Sequence, residues 1–196
     1  MFSTFFKSLI ASLALLASVA ANAATDSYGT LLAGSYTPSS SFASLTYTNV
    51  GNVYSFTLKA NDLNTLFTEG AFIGAIAVSS EVTPVVSNVT GGSPVSISAA
   101  NGPKGAFDFW FDLTGKKQAR LTDGESVSWT ATFASAVTLD SSSFALHVQG
   151  LTEAQGGSAW YKAGTPTVSA VPEADTYAMM ALGLGLMGFV ARRRRA

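Results

Sequence analysis

The sequence predicts an all-β fold, an antiparallel β-sandwich or jelly roll, on three observations: clean two-residue alternation, closely spaced turn residues and almost no helical periodicity. Residues 53–60 place Tyr54, Phe56, Leu58 and Ala60 on one face, with Ser55, Thr57 and Lys59 on the other. Residues 126–133 do the same with Val127, Trp129, Ala131 and Phe133 against Ser128, Thr130 and Thr132. Phe144, Leu146 and Val148 alternate with Ala145, His147 and Gln149. Period two puts successive side chains on opposite faces, so each run reads as a strand with one buried and one wet face. Turn residues recur at Asn49-Val50-Gly51-Asn52, Gly91-Gly92-Ser93-Pro94, Asn101-Gly102-Pro103, Asp123-Gly124 and Gly156-Gly157. Eight to ten short strands at this spacing fit a sandwich or jelly roll.

The remaining elements follow from local composition. Residues 72–78, nearly all apolar, read as a strand covered on both faces, because Ile and Val favour strand over helix. Asp123-Gly124, between Leu121 and Val127, is the strongest hairpin signal. Only residues 61–67 suggest a helix, of a turn or two. No fixed-period repeat is evident. The domain runs from 24 to 164, and residues 165–170, Thr-Pro-Thr-Val-Ser-Ala, form an extended linker.

Composition narrows the function. A chain of 196 residues fits one domain with its own core. Charged residues make up 12%, against about 25% in an ordinary globular domain, so the surface is polar but weakly charged. Without its two ends the chain keeps six basic and ten acidic groups, a net charge of −4, which is no footprint for nucleic acid. The absence of cysteine excludes thiolate metal sites and cysteine nucleophiles.

Both ends carry transport signals. Residues 1–23 read as a signal peptide: Lys7 supplies the positive charge, residues 9–20 the apolar helix, and Ala21-Asn22-Ala23 the small-x-small site. Cleavage is expected before Ala24, by signal peptidase after export by the Sec route. At the other end, Val171, Pro172 and Glu173 precede an uncharged stretch of about sixteen residues, roughly 24 Å as a helix. Arg192, Arg193, Arg194 and Arg195 follow, and the positive-inside rule keeps them cytoplasmic. The helix is slightly short for a hydrocarbon core of about 30 Å, a shortfall that snorkelling arginines and local thinning can meet. Gly183, Gly185 and Gly188 leave a narrow surface for another membrane helix. A GPI signal ends in its apolar tail, so the arginines argue against one.

A Val-Pro-Glu motif, a Gly/Leu-rich transmembrane helix and a terminal arginine cluster together resemble the PEP-CTERM sorting signal of Gram-negative bacteria. Here Ala174 stands at the triplet's third position in place of proline. The resemblance covers residues 171–196. It implies recognition and processing near Pro172 and Glu173 by an integral-membrane exosortase, an inner-membrane intermediate, and delivery to the cell surface or exopolysaccharide matrix. The run from Phe144 to Trp160 also resembles the closing segment of many PEP-CTERM proteins with small β domains, to which no defined activity attaches.

Chemistry inside the domain is sparse. His147 is the one histidine, too few for a two-His metal site, and no Gly-x-Ser-x-Gly elbow accompanies it. No calcium-loop run of aspartates occurs, and no metal or cofactor is expected. Asn88-Val89-Thr90 matches a glycosylation sequon, a weak signal in a bacterial setting. The densest cluster is residues 107–113, which as a strand turn Asp108, Trp110 and Asp112 outward. An exposed tryptophan between carboxylates suggests a sugar platform or a glycosidase pair. Residues four apart on a strand lie about 13 Å apart, however, beyond the roughly 5–9.5 Å of glycosidase carboxyls unless the side chains converge. Trp160 and Tyr161 are further candidates for glycan contact. The expected role is therefore non-enzymatic, structural or interactive, with exopolysaccharide as a candidate partner; the alternatives are a glycan-binding module and a carbohydrate-active enzyme using Asp108 and Asp112.

Overall fold

The computed structural model describes residues 22–99, 102–113 and 116–166. The signal helix, the transmembrane helix, Ala21, Val171, Pro172, Glu173 and Arg192 to Arg195 all lie outside the described residues. Ten strands form: β1 (Asn22–Ala33), β2 (Ala43–Val50), β3 (Val53–Ala60), β4 (Phe72–Val78), β5 (Val85–Gly91), β6 (Ser96–Ala99), β7 (Phe109–Asp112), β8 (Ser126–Thr132), β9 (Phe144–Gln149) and β10 (Ser158–Ala163). One short helix, α1 (Leu63–Leu66), sits where residues 61–67 suggested it.

All pairings between the strands are antiparallel, as expected. They make one sheet in the order β5-β8-β3-β2-β1-β10-β9-β4-β7-β6, rather than two separate sheets. The sheet is nearly closed, and its halves face each other. Phe56 of β3 meets Phe111 of β7 and Phe144 of β9 at ring-centroid distances of 5.5 and 5.8 Å. Trp129 of β8 meets Phe111 at 5.2 Å. Such tilted and edge-on pairs add to the burial of the rings themselves. The inward residues are those the alternation selected: Tyr54, Phe56, Leu58, Val127, Trp129, Ala131, Phe144, Leu146 and Val148 are all buried.

β1 makes the bend between the halves. Its first part pairs with β2 from Asn22–Asn49 to Tyr28–Ala43. Its second part pairs with β10, with register shifts after Tyr28 and after Leu31. Bulges of this kind let a strand pass from one layer to the next. At the bend, a Cβ on Gly29 would lie 2.7 Å from Pro166 Cδ and 3.1 Å from Ser41 Cα, so only glycine lets these segments cross.

The hairpin expected at Asp123-Gly124 is not there. The turn forms, with Gly124 at φ 76° and the Glu125 amide donating to the Thr122 carbonyl at 3.2 Å. But β8 then pairs with β3 and β5, while β7 pairs with β4 and β6. The turn hands the chain from one half of the sheet to the other. It is fastened to α1, where Asp123 Oδ1 accepts from the Leu63 amide at 2.6 Å. Residues 72–78 form the strand expected of them, buried along their whole length.

Candidate functional site

The outward aromatic residues gather on one half of the sheet. On β10, Ala159 and Tyr161 face the core and Trp160 faces out. In the β9–β10 hairpin Trp160 lies directly across from His147. That hairpin holds its register through the turn at residues 152–157: Thr152 Oγ1 accepts from the Gln155 amide at 3.2 Å, and Gly156 takes the left-handed conformation. The next strand, β4, is narrow where it matters, with Ala75 opposite His147 and Ala77 opposite Trp110 of β7. These methyl side chains leave room for the indole of Trp110 to reach across the strand.

The result is a compact aromatic cluster. The His147 and Trp160 rings stack in parallel, with centroids 4.3 Å apart and planes within 1°. Trp110 leans on Trp160 at 5.1 Å and 54°, and lies 6.3 Å from His147. All three are half-buried. Burial drives the His147 imidazole down to about 4, so the ring is neutral at physiological pH and stacks as an uncharged plane. Trp110 Nε1 and, directly across on β6, Ser98 Oγ are both covered and have no hydrogen-bond partner among the described residues. Next along the same face, Gln149 lies over Gly74 and Arg120 stacks on Phe72 at 4.2 Å from the ring centroid.

The other residues singled out from sequence fare differently. Asp112 is half-buried and outward on β7, between Ala75 and Ser96. Asp108 is exposed and precedes the strand, its amide bonded to the Val78 carbonyl at 2.9 Å. Tyr161 is not a surface contact. It points into the core, fully buried, and its hydroxyl donates to the Tyr36 carbonyl at 2.8 Å. Neighbouring residues on a strand face opposite ways, so only one of Trp160 and Tyr161 can be outside. Ala23 and Ala24 belong to β1, paired with Thr48 and Tyr47. Asn88 sits on the edge strand β5 at φ 52°, within a register shift.

His147 as a member of this cluster was missed from sequence, where it reads as a solvated polar-face residue. The register of a hairpin turning at 152–157 was the available signal. Clefts also lie elsewhere among the described residues. One of about 410 Å³ is lined by Leu32, Phe107, Phe144, Lys162 and neighbours. The other, of about 370 Å³, is lined by Tyr47, Tyr54, Asp140 and neighbours. Neither includes Trp110, His147 or Trp160. Beside the second cleft, burial raises the Asp26 carboxyl above its usual range, against a hydrogen bond from Tyr47 that lowers it, and Asp26 Oδ2 has no hydrogen-bond partner among the described residues.

The fold and this face define an all-β domain with an outward aromatic cluster, followed in sequence by a transport tail. Residues 170–195 match the family model of the PEP-CTERM protein-sorting motif, so the tail is that motif, as its resemblance implied. The motif implies export, membrane-associated processing in Gram-negative bacteria, and an exosortase as the processing enzyme. No curated protein matches the chain. A solved structure described as "pH-induced modulation of Streptococcus parasanguinis adhesion by Fap1 fimbriae" is similar at 10% identity, over 79% of this chain and 100% of that one. Its TM-score is 0.39, a likeness too slight to bear on the site.

Proposed function

We propose that this protein is delivered by exosortase processing to the cell surface or the exopolysaccharide matrix, where it acts as a non-enzymatic interaction protein that contacts glycan through Trp110 and Trp160. The sorting motif at 170–195 supports the destination. The interaction role rests on one observation, the Trp110–His147–Trp160 cluster on the outer face. Pyranose rings present flat C–H faces that stack on indoles, and a neutral histidine adds area without adding charge. Two half-buried tryptophans gathered on an outer face leave an apolar patch of the kind that marks an interaction surface.

Two measurements test the two halves of this reading. Intact mass of the protein recovered from the cell surface is expected to lack residues 1–23 and a fragment beginning near Pro172. A surface form still carrying Arg192 to Arg195 makes the tail a plain membrane anchor. Affinity electrophoresis through gels containing the producing bacterium's exopolysaccharide is expected to retard the wild type, and Trp160→Ala to remove the retardation. Turnover of that polysaccharide by the wild type, abolished in Asp112→Asn, overturns the non-enzymatic reading.

A further inference from the structure

β1 begins ahead of the expected signal-peptide cleavage point, with Asn22 and Ala23 paired to Asn49 and Thr48. Its inward residues in this stretch are Ala24, Asp26 and Tyr28, whereas Ala23, Thr25 and Ser27 are exposed. Ala24 packs against the core and, with Tyr47, Tyr54 and Asp140, lines the cleft of about 370 Å³. Asp26 follows on the same face of the strand, about 6.8 Å further along.

The groups gathered here are acidic or neutral. The Tyr47 hydroxyl bonds the Asp26 carboxyl, yet Asp26 Oδ2 is covered and has no hydrogen-bond partner among the described residues. The Tyr28 hydroxyl, close enough to feel the charge on Asp26, is fully buried and equally without a partner there. Asp140 reaches the same space from the loop at 137–140. Tyr54 pins that loop, its hydroxyl donating to the Val137 carbonyl at 2.9 Å and accepting from the Leu139 amide at 3.4 Å. On Asp140 itself, the Ser142 amide and hydroxyl both bond Oδ1, at 2.8 and 2.6 Å. Its charge raises the Asp26 carboxyl further, and among the described residues no lysine or arginine offsets it. A covered carboxylate oxygen with no partner is costly.

Cleavage before Ala24 supplies a cation at this place. It removes Asn22 and Ala23, and with Ala23 one wall of the cleft, leaving β1 paired with β2 from Ala24–Tyr47 to Tyr28–Ala43. A terminal residue frays unless something ties it down. The new ammonium carries three donors, enough to keep a bond to β2 and still turn toward the carboxyls. We infer that the α-ammonium of mature Ala24 is the counterion of Asp26 and Asp140, so that removal of the signal peptide completes the anchoring of β1. This rests on the export reading, with cleavage before Ala24. The raised Asp26 carboxyl belongs to the chain with Ala23 attached, in which Ala24 is an uncharged amide.

The test is the pH dependence of acetylation of the α-amine by acetic anhydride, in mature protein recovered from the cell surface and read by mass spectrometry of its N-terminal peptide. The wild type is expected to show a midpoint about one pH unit above that of an ordinary α-amino group. Asp26→Asn combined with Asp140→Asn is expected to return it to the ordinary value; asparagine keeps an acceptor oxygen for Ser142, so the turn survives. If the double variant loses its β-sheet circular dichroism, Asp26→Asn alone is expected to remove part of the shift. An ordinary midpoint in the wild type overturns the proposal, as does a raised one that persists in the folded variant. A Tm raised by millimolar calcium chloride in the wild type but not in the variant overturns it in favour of a bound cation. Intact mass separates this from the export reading. A first residue other than Ala24 overturns the cleavage point and the proposal together, whereas Ala24 with an ordinary midpoint overturns the proposal alone.

Discussion

The two outer faces of this sheet rest on similar inner faces and differ in almost everything else. Both halves turn alternate large apolar residues toward the shared core, Phe56 and Trp129 from one side and Phe111 and Phe144 from the other. Outside, the β7–β4–β9–β10 half gathers Trp110, His147 and Trp160, whereas the β2–β3–β8 half lays out threonines and serines in rows. The core fixes the inward residues within narrow limits of volume and shape. It leaves the outward ones free, so a difference between outer faces speaks of what each face meets.

Breaking the common core is expected to abolish both faces together. Phe56 touches the rings of Tyr47, Tyr54, Phe111, Trp129 and Phe144. Phe56→Ala should cost about 4 kcal/mol and lower Tm by roughly 10 °C in thermal unfolding. Removing one outward ring should instead separate function from fold. Trp110→Ala or Trp160→Ala is expected to lose most glycan retardation, while stability falls by about 1–2 kcal/mol, because each ring is only half-buried.

Acid should sharpen the contrast, because the aromatic face holds a histidine whose burial disfavours its protonated form. His147 is held near 4 in the fold and takes its proton near the ordinary 6.5 when unfolded. The unfolded chain therefore protonates first, and stability falls as pH drops from about 6.5 to about 4, by roughly 1–2 kcal/mol after allowing for partial exposure. Denaturant titrations at pH 7 and pH 4.5 should show this loss in the wild type and a smaller one in His147→Gln. Asp26 works in the opposite sense. Its raised carboxyl makes the fold the better proton binder, so stability is gained as pH falls through its folded value. Asp26→Asn should raise stability slightly at pH 7 and flatten that gain, the smallest of these effects.

Alternation made the inner face legible from sequence, because burial and period two are local facts. The eight to ten strands expected bracket the ten observed, and residues 61–67 hinted at the short helix at 63–66. Which strands become neighbours was not legible. Asp123-Gly124 reads locally as a hairpin, but the pairing of β8 with β3 and β5 is set by the core between the halves. The aromatic cluster was half legible. Trp110 and Trp160 stood out by residue type, yet their meeting depends on Ala75 and Ala77 of a strand between them. Tyr161 was mistaken for a surface residue because it adjoins Trp160, although a strand cannot turn both outward.

The central claim is that the Trp110–Trp160 face, and not the hydroxyl face, meets the matrix glycan. Affinity electrophoresis of wild type, Trp160→Ala and Thr57→Lys in one exopolysaccharide gel tests it most directly. The account predicts retardation of the wild type and Thr57→Lys, and free migration of Trp160→Ala. Equal migration of all three, or loss of retardation in Thr57→Lys alone, contradicts it.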